Sequence, residues 1–147
     1  MIKRKTNFEI GMEIEKLTNP REVDKFTFHN KSFIRTQAIK RLGEIGDTSS
    51  MKRLIQILTT SRDKYDLIYS SEAIGKLKAK SAVPVLIKLI HSKTSDVACT
   101  SIHALGEIGD RSVIPILQEK MKHPRVRYVK ECCEDILKKF GTYSIAN

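Results

Sequence analysis

The side chains best suited to chemistry are three cysteines and four histidines. Cys99, Cys132 and Cys133 fall inside helical patterns, and their odd number and spacing match no disulfide framework, which predicts reduced thiols in a cytosolic protein. Cys133 lies on the apolar side of its helix, so we expect it to pack in a core. No base and orienting group accompany these thiols, and the sequence therefore predicts no catalytic nucleophile.

The histidines and carboxylates indicate no metal site and no acid–base pair. His29, His91 and His123 lie near turns that correspond to one another along the chain, but stacked helices are roughly 10 Å apart, too far for three such side chains to share one ion. Glu134 and Asp135 are adjacent on a solvated helix and are read as solubilising charge. We expect surface histidines, no metal, no cofactor and no catalytic residue.

The strongest pattern is an internal repeat. Residues 73–86 align with residues 104–117 at a constant offset of 31, and a shorter third copy, Leu42–Asp47, lies 32 residues before the middle one at its glycine. A fixed period of this length is typical of stacked two-helix units. Gly43, Gly75 and Gly106 recur inside first helices, where glycine costs roughly 1 kcal/mol, so a close helix–helix contact is expected at each.

Helical periodicity extends from one end of the chain to the other, and no segment alternates as a strand does. We predict one domain over residues 1–147. Its parts are a terminal unit over 7–28, repeats over about 33–60, 64–91 and 95–122, and a capping helix over 125–140. Within the repeats the first helices are predicted at 33–45, 65–77 and 95–108, and the second helices at 50–60, 82–91 and 112–122.

The repeat motif, Ala104-Leu-Gly-Glu-Ile-Gly-Asp110 followed by Val113-Ile-Pro-Ile-Leu117, resembles the HEAT-like repeat first described in phycobilisome bilin lyases. The resemblance implies an all-α, right-handed α-solenoid of stacked two-helix units, about four and a half of them. The family includes lyase subunits, scaffolds, regulators and metal-dependent hydroxylases. Those hydroxylases carry His-Glu pairs that hold two irons, and no His-Glu pair occurs in this sequence.

The chain has a formal net charge of +10, which suits an acidic partner such as nucleic acid, an acidic protein or an anionic membrane surface. No apolar stretch matches a signal peptide or a membrane span, so we expect a cytoplasmic protein without integral membrane contact.

Two candidate binding surfaces follow from the repeat. The first is the row of second helices on the concave side, where an apolar patch flanked by cations suits an acidic or amphipathic peptide; its residues are Arg53, Ile57, Val85, Lys88, Leu89, Ile116 and Lys120. The second is the edge formed by turns between units, which we call the basic edge; its residues are Lys31, Arg62, Lys64, Lys93, Lys122, Arg125 and Arg127. The turns inside units are neutral overall.

These surfaces favour a non-enzymatic adaptor that binds another protein on the concave row with help from the basic edge. One alternative is a nucleic-acid-binding solenoid that uses the basic edge, although the absence of Trp and the scarcity of aromatic residues argue against base stacking. Another alternative, which rests on the family resemblance, is an accessory subunit of a bilin lyase.

Overall fold

The computed structural model describes residues 3–142, whose contacts form two compact units, one ending at Ala73 and one beginning at Ile74. The first unit contains α1 (Asn7–Lys16), α2 (Pro20–Asp24) with a 3-10 turn (Lys25–Phe28), α3 (Ser32–Ile45), α4 (Thr48–Thr60) and most of α5 (Lys64–Lys76). The second contains a 3-10 turn (Lys80–Ala82), α6 (Val83–Leu89), α7 (Ser95–Ile108), a 3-10 turn (Arg111–Val113), α8 (Ile114–Lys122) and α9 (Arg127–Lys139).

The fold is an all-α, HEAT-like solenoid, as predicted, and residues 3–142 contain no strand. The first helices begin and end within two residues of the predicted positions. The predicted second helices at 82–91 and 112–122 are shorter α-helices that begin with a 3-10 turn. Pro84 and Pro115 occupy their opening positions, where a missing backbone N–H costs least. The prediction of a single domain stays a prediction.

Helix ends follow the local sequence. The Asp47 carboxylate accepts a hydrogen bond of 2.7 Å from the backbone N–H of Ser50 and so caps α4. Asp110 accepts one of 2.9 Å from the N–H of Ser112. Gly46 and Gly109 end α3 and α7 with φ of 62° and 76°, in the left-handed region that glycine adopts without steric cost. Gly109 therefore ends α7, and Asp110 caps the 3-10 turn that follows it.

The helical glycines mark close helix–helix contacts, which confirms their predicted role. A Cβ built on Gly43 would lie 2.7 Å from the Cβ of Ala73, and one on Gly75 would lie 2.9 Å from the Cα of Ala104. A Cβ on Gly106 would also overlap Ile136, at the flexible end of its side chain. Each glycine therefore lets a first helix approach the next first helix more closely than alanine allows.

A half-buried ionic cluster joins the start of α3 to the turn before α5 in the first unit. The Arg35 guanidinium lies 2.6 Å from a carboxylate oxygen of Asp63 and 3.1 Å from one of Asp66, which is 9% exposed. Arg35 also donates to the backbone carbonyl of His29. One guanidinium thus pairs with two carboxylates, and the cluster as a whole keeps one negative charge.

The prediction of reduced thiols is wrong for two of the three cysteines. Cys99 on α7 and Cys132 on α9 form a disulfide, with their Cα atoms 5.7 Å apart, whereas Cys133 is free and buried. The two partners are 33 residues apart, about one repeat, and they lie on two successive first helices, α7 and α9, that pack against each other. A spacing of about one repeat is therefore compatible with a disulfide between repeats. The sequence analysis considered each helix separately and so did not predict it.

Candidate partner-binding surface

The predicted surface residues of α4 are used inside the first unit. Ile57 is only 5% exposed, so the prediction that it lies on an accessible apolar patch is wrong. Arg53 forms an ion pair of 2.7 Å with Asp24, donates to the Thr27 hydroxyl and stacks over the Phe28 ring. The reason is the α2 segment, which packs against α4. Side chains of α4 that the repeat alignment placed on a partner-binding surface therefore make contacts within the unit instead.

The predicted surface residues of the second unit are accessible to different degrees. Lys88 on α6 is exposed, while Val85 and Leu89 are half-buried. Ile116 and Lys120 on α8 are also half-buried. Half-buried apolar side chains of this kind still present surface to a ligand, so the second unit keeps the features that the concave prediction requires.

An open groove of about 460 Å³ lies on the second unit and contains two of these residues. We call it the α8 groove; it is lined by His91, Pro115, Ile116, Glu119, Lys120 and His123. Ile116 and Lys120 were predicted, whereas the other four were not assigned to a binding surface. One signal was available, since His91 and His123 are 32 residues apart and each follows a second helix, but they were interpreted as isolated surface histidines.

The groove combines an apolar floor with a cationic side chain. Pro115 and Ile116 supply the apolar surface, the Lys120 ammonium supplies positive charge, and the two imidazoles supply hydrogen-bonding groups. The carboxylate of Glu119 lies 2.9 Å from the Lys122 ammonium, whose hydrogen bond and charge hold the pKa of Glu119 below its usual value. Because Lys122 compensates Glu119, the remaining charge of the groove favours an anionic ligand.

The residues of the predicted basic edge are exposed in both units. In the first unit these are Lys31, Arg62 and Lys64, and in the second they are Lys93, Lys122, Arg125 and Arg127. Some of them have partners: Lys31 donates to the Asn7 side chain, Lys122 pairs with Glu119 and Arg127 pairs with Glu131. That the seven residues form one continuous stripe stays a prediction.

Side chains that could ligate a metal are not grouped within residues 3–142. No group of three or more His, Cys, Asp or Glu side chains there is placed to hold a metal ion. Burial raises the pKa of the Cys133 thiol to about 11, which leaves it protonated at neutral pH and weakly nucleophilic. Its position is that of a small core residue, as predicted.

The stacked helix pairs and the groove on a second helix define the class as a helical-repeat protein. The family model for HEAT repeats matches residues 51–138. The chain belongs to the HEAT-repeat family.

One curated relative is the phycocyanobilin lyase subunit alpha of Nostoc sp. (strain PCC 7120 / SAG 25.82 / UTEX 2576), to which this chain is 28% identical over 103 residues. The match covers 62% of this chain and 37% of the relative. The chain thus spans little more than a third of that protein's length. The resemblance to bilin lyase repeats is confirmed.

Two solved structures have a similar fold. The complex of CpcE and CpcF of phycocyanin lyase from Nostoc sp. PCC7120 matches with a TM-score of 0.66 and 19% identity, over 97% of this chain and 67% of that one. Human deoxyhypusine hydroxylase in complex with glycerol matches with a TM-score of 0.67 and 21% identity, over 93% of this chain and 50% of that one. Among the described residues, no helix is both long enough and apolar enough to span a bilayer.

Proposed function

We propose that this chain is a non-enzymatic HEAT-repeat adaptor, and that it binds an acidic or amphipathic segment of a partner protein in the α8 groove. The observation that carries the proposal is the groove itself, where Pro115 and Ile116 lie beside Lys120, His91 and His123. Apolar anchoring next to uncompensated positive charge is what an amphipathic acidic helix requires.

The family context supports protein binding. The structure with a TM-score of 0.66 is a complex of two chains, CpcE and CpcF. The net charge of +10 increases the rate of encounter with an acidic partner, because long-range attraction steers association.

A second candidate is an accessory subunit of a bilin lyase. It is favoured by the 28% identity to the phycocyanobilin lyase subunit alpha, although the match covers only 37% of that relative. The two candidates share the same surface and differ in the partner, which would be a lyase subunit or a phycobiliprotein in this case.

The test is affinity capture from the source cells after nuclease treatment, followed by titration of the identified partner with purified protein. The groove variant combines Lys120→Glu with His123→Glu. The matched control combines Lys80→Glu with His103→Glu, a lysine and a histidine that are exposed on the same unit and lie outside the groove. Both variants change the net charge equally and leave the core untouched.

We expect the groove variant to lose most of its affinity, at least tenfold, because a reversed charge beside an apolar anchor repels an acidic segment. The control should bind within about twofold of the wild-type protein, since exposed charges act mainly through screened long-range attraction. Equal loss in both variants would mean that only net charge matters, and the proposal would then be wrong. Identification of the captured partner as a lyase subunit or a phycobiliprotein would decide for the second candidate.

A further inference from the structure

Exposed aromatic side chains recur at one position of the first helices. Phe33, Tyr65 and Tyr128 are the second residues of α3, α5 and α9, and they are 50%, 47% and 52% exposed. Phe33 and Tyr65 are 32 residues apart, which is one repeat, and Tyr128 follows two repeats later. These three are among the five aromatic side chains that are exposed in residues 3–142. Three exposed aromatic residues thus share one position at the start of first helices.

Cations precede each of these rings. Arg62 and Lys64 precede Tyr65, and the Lys64 ammonium lies 4.9 Å from the centre of the tyrosine ring. Arg125 and Arg127 precede Tyr128 at the same two spacings, and both are exposed. Lys31 precedes Phe33 by two residues. We call these three segments, 31–33, 62–65 and 125–128, the basic-aromatic turns.

The acidic residue within one of these turns does not cancel its positive charge. Asp63 pairs with the half-buried guanidinium of Arg35 at 2.6 Å, and Arg35 also pairs with Asp66. These three residues together carry one negative charge, against the two positive charges of Arg62 and Lys64. At 125–128 the corresponding residue is Val126, which is uncharged and 46% exposed. The pair between Arg127 and Glu131 is solvent-exposed, with Arg127 91% accessible, and exposed pairs of this kind are weak and screened by salt.

Backbone amides add to the positive character of two of the turns. Helices α3 and α9 begin at Ser32 and Arg127 with no side-chain hydrogen bond to their first N–H groups. Uncapped amides at a helix N-terminus favour a phosphate through direct hydrogen bonds and through the helix dipole. In α7 the aromatic position is Asp96, so that first helix lacks the complete arrangement.

An exposed ring beside one or two cations matches a nucleotide, which presents a flat base and a phosphate. Bases stack on aromatic rings whatever their sequence, while the cations hold the phosphates. The carboxylates of an acidic protein segment pair with the cations but present no planar group to the rings. A duplex keeps its bases stacked inside and cannot offer them to these rings.

We propose that each basic-aromatic turn binds single-stranded nucleic acid, with a base stacked on Phe33, Tyr65 or Tyr128 and a phosphate held by the neighbouring cations. The first unit carries two such turns and the second carries one. The basic-aromatic turns share no residue with the α8 groove, so the chain would bind a protein and a nucleic acid through separate surfaces.

The test is fluorescence anisotropy with labelled single-stranded RNA and DNA of about 20 nucleotides, a length that exceeds common site sizes. A duplex of the same sequence, heparin and poly-glutamate serve as competitors. The variants are Phe33→Ser, Tyr65→Ser and Tyr128→Ser, and the matched control is Phe8→Ser, which removes a ring that is 72% exposed but lies outside these turns. Thermal melting of each variant verifies its fold.

We expect each turn variant to weaken single-strand binding by roughly tenfold, within the range observed for loss of one stacked base, while Phe8→Ser stays near wild type. Arg62→Ala and Arg125→Ala should each lower the slope of log K against log salt by about 0.7 for every phosphate contact removed. RNA that binds more tightly than DNA, or the reverse, identifies the natural strand, and either order supports the proposal.

Three results would overturn it. One is the absence of saturable single-strand binding at low salt. Another is that heparin or poly-glutamate competes as well as unlabelled single strands do, while the aromatic variants bind like the wild-type protein. That result would indicate a general polyanion surface or an acidic protein ligand. The third is tighter binding of the duplex than of the single strand. Because the salt slopes are measured on arginine variants, the conclusion does not depend on the folding of any aromatic variant.

Discussion

Two helix contacts that look equivalent in the repeat should respond differently to the same exchange of side chains. We consider Gly43→Ala with Ala73→Gly and compare it with Gly75→Ala with Ala104→Gly. Each double variant moves one methyl group from one helix to its neighbour, so composition and volume are conserved. The atoms that the new methyl would meet are different in the two cases.

The distances give the expected magnitudes. A Cβ on Gly43 meets the Ala73 Cβ at 2.7 Å and its Cα at 3.5 Å, so removal of the Ala73 methyl leaves ordinary contact. A Cβ on Gly75 meets the Ala104 Cα at 2.9 Å, and that backbone atom stays in place when the methyl is removed. Overpacking of this kind costs about 1–3 kcal/mol, against a gain of about 1 kcal/mol when alanine replaces glycine in a helix.

We therefore expect Gly43→Ala to lose up to about 2 kcal/mol, and the double variant with Ala73→Gly to return close to wild type. The coupling energy of this cycle should be about 1–3 kcal/mol, whereas the cycle at Gly75 and Ala104 should show much less. Urea unfolding followed by circular dichroism at a helical wavelength measures all six variants. Gly11→Ala is the control, because a Cβ there would meet its nearest atom at 3.8 Å, an ordinary contact.

Two results would refute this reasoning. If Gly43→Ala is neutral or stabilising, the helices have room that the structure does not show. If the double variant at Gly75 and Ala104 restores stability as fully as the one at Gly43 and Ala73, the backbone of Ala104 moves away freely. A clash with a methyl group and a clash with the backbone would then cost the same free energy.

Other predictions concern the contacts between α7 and α9. Cys99→Ser should lower the free energy of unfolding by about 3–4 kcal/mol, because it removes a cross-link across 33 residues; thermal melting without reductant measures this loss. Cys133→Ser should retain the disulfide, which mass spectrometry after alkylation detects. In the native wild-type protein the Cys133 thiol, with a pKa of about 11, should react with iodoacetamide at pH 8 far more slowly than in urea; equal rates would contradict its burial. The Lys139 hydrogen bond and charge lower the pKa of Glu107 from 4.5, so their stabilisation is present above that pH and is lost as pH falls through the lower value. Glu107→Gln should therefore flatten the acid limb of a melting-temperature profile, and an unchanged profile would show that the pair contributes nothing.

Much of the fold could be predicted because its signals are local or periodic. Gly109 and Asp110 mark a helix end and a cap through their own backbone preferences, and the structure has both. The repeat offset also located Gly43, Gly75 and Gly106, since three costly glycines at one period require a shared packing reason. These properties need only neighbouring residues or one period of the chain.

The binding surface could be predicted only in part. Ile116 and Lys120 were found because repeat alignment assigns them to a second helix, and both line the α8 groove. Ile57 and Arg53 occupy aligned positions, yet one is buried and the other is paired with Asp24. Alignment treats every repeat as identical, whereas in the first unit α2 packs against α4 and its Asp24 pairs with Arg53.

The sequence by itself determined the all-α repeat, the positions of the helices and the excess of positive charge, because periodicity, capping and composition are properties of the chain. Only the tertiary structure decided which side chains meet. In it, Cys99 is joined to Cys132, Asp63 is paired with Arg35, and Tyr65 is exposed beside Lys64. The physical reason is that burial and pairing depend on the neighbouring helix as much as on the residue itself, so equivalent positions in a repeat acquire different roles.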